Sequence, residues 1–330
     1  MKLRYWISVL LVLALFCGCA GAEGAFSGAS YDAGLAVVGG EVYCAAKNAG
    51  LGFIPIWRVS MAGLEKAYSR IGGWRNLYAL GDELLTIEPV LNIGEMLGSV
   101  PTSTYKARRI ECATGKVQDV AVCTGNEDGV YNVFAAQGRA YRDMREGDAH
   151  TLQRLDDGNW TTVAQWAGDH AWVYETFCVI GDRNAKKAEY VALYEFATGK
   201  TYDVTDMMNR GLLWSTMEAV LEDGVLYHLD DRWFAALTLS TGEKEMLVKL
   251  PAEMEAFILT DNQLLLMSRK KQEAWLLDRN TCEIIQKVEM TNYPQNAVLN
   301  DGRLFVRCIY GDAGVEIIDL TTGESVHYPL

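Results

Sequence analysis

The sequence is poor in the features that would announce a reaction. It contains six prolines and no polar low-complexity tract, which excludes a long stalk or a disordered linker. Its four histidines, His150, His170, His228 and His327, stand far apart, without H-E-x-x-H or H-x-H spacing, so no short-range metal motif is written. No acidic calcium loop of the D-x-[DN]-x-[DN]-G type appears, and neither a G-x-S-x-G elbow nor an S-x-x-K set supports nucleophilic catalysis. Phosphate loops and dinucleotide glycine motifs are missing as well.

Positive charge is also scarce. Lysine and arginine total 30 against 43 acidic residues. Such a balance excludes nucleic acid as a partner and disfavours anionic lipid headgroups. No run of five or more like charges gathers the negative charge, so it reads as a solvated acidic surface.

What is present begins with "MKLRYWISVLLVLALFCGCAGAEG", where Lys2 and Arg4 precede an apolar run from Tyr5 to Phe16. The run is too short for a comfortable span of about 20 residues and reads as an export signal. Phe16-Cys17-Gly18-Cys19 is similar to a bacterial lipoprotein box, which makes Cys19 the expected lipidation site; Ala20-Gly21-Ala22 offers an ordinary cleavage site as the alternative, giving a secreted protein. The expected division is a signal peptide over 1–18, a tether over 19–32 and one folded unit over 33–330. Beyond Cys19 lie Cys44, Cys112, Cys123, Cys178, Cys282 and Cys308, mostly within apolar strand-like stretches such as "EVYCAA" and "FVRCIY". Export permits disulfides, but these contexts favour buried free thiols.

The folded unit is repetitive. "RIECATGKVQ", "LYEFATGKTY", "ALTLSTGEKE" and "IIDLTTGESV" each place Thr-Gly between an apolar and a mixed stretch, at Gly115, Gly199, Gly242 and Gly323. These glycines fall at multiples of roughly 42 residues, a spacing typical of propeller blades. The same step lands on Gly158 and on Cys282 in "LLDRNTCEII", and Gly63 lies one longer interval upstream, giving seven equivalent corners. A second set of two-residue turns precedes them, in "AVVGGEVY", "YALGDELL", "FAAQGRAY", "AVLEDGVLYHL", "FILTDNQLLLM" and "AVLNDGRLFV". Each unit therefore holds four short strands. Only the fourth lacks a clear first turn, near Tyr174-Glu175.

Four-stranded antiparallel units of this length describe an all-β fold, a β-propeller of seven blades, with six or eight as the neighbouring counts. Consecutive apolar positions, as in "LLLM", fit inner strands buried on both sides. The ring is expected to close either by packing of the last blade on the first or by residues 24–32 adding a strand.

The Thr-Gly corner resembles the repeat of quinoprotein-like propellers, and "IWRVSMAGLEKAY" is similar to the strand of low-density-lipoprotein-receptor-like propellers in bacterial lipoproteins of unknown function. The first resemblance would imply a quinone cofactor, but the Trp that follows the corner in that family is absent from "TGKVQD", "TGKTYD", "TGEKEM" and "TGESVH". No cofactor and no metal are therefore expected.

The function expected is a non-catalytic binding or assembly platform at the cell surface, monomeric, taking a protein, peptide or glycan ligand and touching the membrane only through its anchor. The insertions at 87–103 and 206–214 are the expected contact loops. The alternative is a secreted glycan hydrolase or lyase with paired carboxylates at the central channel. "LYHLDDRWF", with His228, Asp230, Asp231, Arg232 and Trp233, reads as a solvated turn, and Trp57, Trp74, Trp160, Trp166, Trp172, Trp214 and Trp233 as blade packing.

Overall fold

A computed structural model describes residues 25–27, 34–45, 53–71, 76–89, 104–124, 130–168, 171–181, 190–209, 219–230, 232–250, 254–268, 270–291, 296–308 and 313–330. Cys19 lies outside them, as do His170, Asp231, Trp74 and Trp214. Among the described residues, twenty-nine strands and one short helix, Thr205–Asn209, make up the regular structure.

Seven antiparallel sheets follow one another along the chain, over 35–71, 76–124, 130–167, 172–203, 219–249, 256–289 and 296–329. Each pairs its four strands in sequence order, and this makes a meander blade. First strands of neighbouring blades approach one another: Leu35–Val38 lies beside Asn76–Leu80, which lies beside Val130–Ala136, and Leu35–Val38 also lies beside Asn296–Asn300 of blade 7. The first strand is thus innermost and the ring is closed. Burial follows the radius, with first strands such as Leu35–Val38 and Ala256–Leu259 buried throughout and fourth strands such as Glu243–Lys249 largely exposed.

The apolar core is a set of seams rather than one centre. Leu77, Leu84 and Ile110 of blade 2 pack on Tyr43 and Ile56 of blade 1. Phe134 and Tyr141 of blade 3 meet Phe196 of blade 4, with the Tyr141 and Phe196 rings 4.8 Å apart. Further clusters join blades 4 and 5, 5 and 6, and 6 and 7. Burying both faces of each inner sheet is why the strands read as unbroken apolar runs.

The ring closes by packing. Val37, Val42 and Val59 of blade 1 share a cluster with Phe305, Val315 and Ile317 of blade 7. Asn296 Oδ1 accepts from the Leu35 N–H at 2.9 Å, and Tyr328 Oη donates to the Met61 carbonyl at 2.8 Å. An added strand does exist, but on blade 6: Ala25–Phe26 pairs antiparallel with Ala256–Leu259 at its inner edge. Ser27 extends this stitch, since its Oγ accepts from Phe257 N at 2.8 Å and its carbonyl accepts from Ala219 N of blade 5 at 3.0 Å. Ser27 is fully buried.

The described cysteines, Cys44, Cys112, Cys178, Cys282 and Cys308, are free, as their apolar contexts suggest. Burial raises the thiol pKa of Cys44 to about 12, far from the range of a reactive thiolate.

Candidate functional site

An up-and-down meander gives the ring two unlike faces. First-to-second and third-to-fourth strand turns lie on one, here called the corner face. Second-to-third turns and the links between blades lie on the other, the loop face.

Five corners share one construction. The N–H groups of Gly115, Gly199, Gly242, Cys282 and Gly323 donate to the carbonyls of Glu111, Glu195, Thr238, Asp278 and Asp319 at 2.8–2.9 Å. The Thr before each accepts from the N–H two residues on, as in Thr114 Oγ1 to Lys116 N at 3.2 Å and Thr322 Oγ1 to Glu324 N at 3.2 Å. This hydroxyl stabilises the turn, and the following residue must take a left-handed backbone; that is why Thr-Gly recurs. Cys282 adopts the same conformation with φ 60°. The corners at Gly63 and Gly158 are instead two-residue hairpins, Met61-Ala62 and Asp157-Gly158.

Tyrosines on fourth strands tie one blade to the next. Tyr68 Oη donates to the Cys112 carbonyl at 3.1 Å, matching the bond from Tyr328 to Met61. Tyr68 and Tyr328 each stand five residues after their corner glycine, so one spacing serves both contacts. Glu195, fully buried, accepts from Thr198 Oγ1 at 2.5 Å and from Tyr202 Oη at 3.1 Å, joining a blade 4 corner to Gly224 of blade 5.

On the corner face the seam of blades 7 and 1 opens into a groove of about 590 Å³, lined by Glu41, Arg58, Met61, Asn300, Asp301 and Arg303 among others. Its charges are matched internally, Arg58 with Glu41 and Glu65, and Arg303 with Asp301 and Asp319. The groove thus presents closed ion pairs, not a field of one sign.

At the loop-face end of blade 3, all four strands contribute to one polar aromatic cluster. His150 Nδ1 lies 2.8 and 3.0 Å from the two Asp143 oxygens, and both side chains are about 1% exposed. The His150 ring stacks on Trp166 at 5.3 Å and meets Tyr131 edge-on at 5.7 Å. Burial raises the Asp143 carboxyl above its usual range, while the bond from His150 and the Ala171 N–H oppose the rise. Tyr131 occupies a bulge on the innermost strand and is 45% exposed. An exposed ring is therefore held from beneath by a buried, hydrogen-bonded imidazole.

Sequence reasoning set His150 aside as isolated. The missed signal is "RDMREGDAHT", in which the hairpin through Gly147 pairs Arg145 with His150 and leaves Asp143 diagonal to it. Of the expected contact loops, 90–103 and 210–214 lie outside the described residues, while Thr205–Asn209 is a helix whose Met207 and Met208 pack on the seam of blades 4 and 5. The "LYHLDDRWF" stretch does turn between two strands, but His228 is buried, and Lys244 is ion-paired with Asp230. Among the described residues no three His, Cys, Asp or Glu side chains are grouped as a metal site.

No family model matches the sequence, and no curated protein matches it. The similarity is structural. A chain from a structural study of two prolyl endopeptidases matches with TM-score 0.56 and 9% identity over 99% of this chain and 55% of that one. The tricorn protease matches with TM-score 0.51 and 12% identity over 94% of this chain and 34% of its own. BamB from Moraxella catarrhalis matches with TM-score 0.43 and 11% identity, over 87% of this chain and 97% of that one. At such identities the likeness shows the fold alone: a seven-bladed β-propeller.

Proposed function

We propose that this protein is an exported, lipid-anchored propeller that binds a peptide or glycan segment of a cell-surface partner on its loop face, without chemistry of its own. The observation that carries the reading is Tyr131, an exposed ring at the channel edge seated on the buried Asp143–His150 pair and Trp166. Such an arrangement fixes an aromatic face in advance, and pre-ordered aromatics are the usual anchors of peptide and sugar contacts. Export and anchoring rest on the residues before Cys19, described above.

Among the described residues of the seven first strands, Glu222 is the one carboxylate, and it is paired with Arg279.

The test is capture of envelope glycan fragments and of a peptide library by the purified chain and by Tyr131→Ala. Capture weakened about tenfold or more in the variant is expected, equivalent to about 1.4 kcal/mol. Equal capture would overturn the site. Release of shortened glycan would overturn the non-catalytic reading.

A further inference from the structure

The inner strand added at the N-terminus fixes which way the ring faces. Within blade 6, Ala256–Leu259 runs from the loop face to the corner turn at Asp261-Asn262. Ala25–Phe26 pairs antiparallel with it, Ala25 opposite Leu259 and Phe26 opposite Ile258, so the chain runs from the corner face toward the loop face. Ser27 continues that direction opposite Phe257. Ala25 thus lies at the corner end of the added strand. Leu35 starts blade 1 at the loop face.

We infer that the corner face opposes the membrane and the loop face, with Tyr131, points away from it. This rests on the anchoring reading of the proposed function. Between Cys19 and Ala25 the chain can span at most about 20 Å, comparable with the height of one blade at about 3.3 Å per strand residue. A route around the outside of the ring adds the width of four strands about 4.8 Å apart, so a lipid on Cys19 cannot present the opposite face by that path. Among the described residues of the corner face, Asp223, Asp261, Asp301, Glu283 and Glu324 are exposed, beside the exposed cations Lys116, Arg139 and Lys200. Repulsion from anionic headgroups falls off within about 8 Å at physiological salt. The ring therefore stands off the bilayer instead of lying on it, which leaves the tight turns beneath and the loop face open to a partner.

The experiment uses the full processed chain with probes introduced by amber suppression. Spectroscopic distances are measured from Ala22 to Asp261, on the corner face of blade 6, and from Ala22 to Lys271, on its loop face. The lipidated chain is then placed on phosphatidylcholine–phosphatidylglycerol vesicles carrying a headgroup quencher, and quenching at the same two positions is compared. The shorter distance and at least about twofold stronger quenching are expected at Asp261, since one blade height separates the two positions. Equal distances, or a shorter one to Lys271, would overturn the threading. A short distance to Asp261 with quenching equal or stronger at Lys271 would overturn the orientation. Mass spectrometry of the mature N-terminus separates the remaining failure: a chain without lipid on Cys19 overturns the orientation through its anchor while the distance pair still reports the threading.

Discussion

The two faces of the ring are built on different terms. At the corner face five Thr-Gly or Thr-Cys turns reuse one hydrogen-bond pattern, and Tyr68 and Tyr328 dock the fourth strands of blades 1 and 7 on the neighbouring corner. There the backbone dictates the residue. At the loop face the hairpin of blade 3 encloses an Asp143–His150 pair that has no counterpart in the corner pattern, beneath an exposed Tyr131. There a side-chain cluster is placed on the frame that the corners hold. Repetition marks what folds the molecule, and departure from repetition marks what can be specialised without refolding it.

The sharpest break of this contrast is at Asp143. Removing one partner of a buried pair strands the other polar group, at a cost of about 3–5 kcal/mol. Asp143→Ala is therefore expected to lower stability by about that amount in denaturant titration, and to release Tyr131 from its support. Asp143→Asn, which can still accept from the imidazole, should cost clearly less. If both variants unfold at the same denaturant concentration as wild type, the pair does not hold the blade 3 hairpin.

Next in size is a pH effect from blade 5. Burial holds the His228 imidazole down near a pKa of about 4, and Lys244 adds to this while Asp230 opposes it. The neutral ring folds and the unfolded chain takes up the proton more readily. This stability is fully present above pH 6.5 and is lost as pH falls toward 4, by about 3 kcal/mol in all. His228→Leu, which cannot titrate, should flatten the pH 7 to pH 4 stability difference by that amount relative to wild type. An unchanged pH profile would show that the ring is solvated in the folded state.

Much of the frame was legible because period and turn chemistry are local. Seven blades, the Thr-Gly corners, the irregular fourth unit at Tyr174-Glu175 and the packing role of Trp57, Trp166 and Trp172 all follow from short stretches. The turn in blade 4 is there, closed by Tyr174 N to the Phe177 carbonyl at 2.9 Å, with Thr176 in it in place of glycine. What was not legible depends on pairs distant in sequence or diagonal in register. Ser27 meets Phe257 from 230 residues away in sequence, and no local pattern near Ala25 names blade 6 as its host. Asp143 and His150 become neighbours only once the hairpin register is set.

The smallest effect tests the corner rule where the sequence breaks it. Cys282 stands in the position that glycine holds at four other corners, with φ 60° against 70–76° for Gly115, Gly199, Gly242 and Gly323. A side chain in that conformation costs about 1–2 kcal/mol, whereas glycine gains back roughly 0.5–1 kcal/mol of disorder in the unfolded chain. Cys282 is half-buried, and its thiol makes one long contact, 3.8 Å to the Arg279 carbonyl, so little packing is lost with it. Cys282→Gly is therefore expected to raise the unfolding free energy by about 0.5–1 kcal/mol, while Gly323→Cys at the matching corner of blade 7 lowers it by a similar amount. Opposite signs in the two variants mean that one backbone rule governs both corners; a loss of stability in both means that the blade 6 corner has been rebuilt around its thiol.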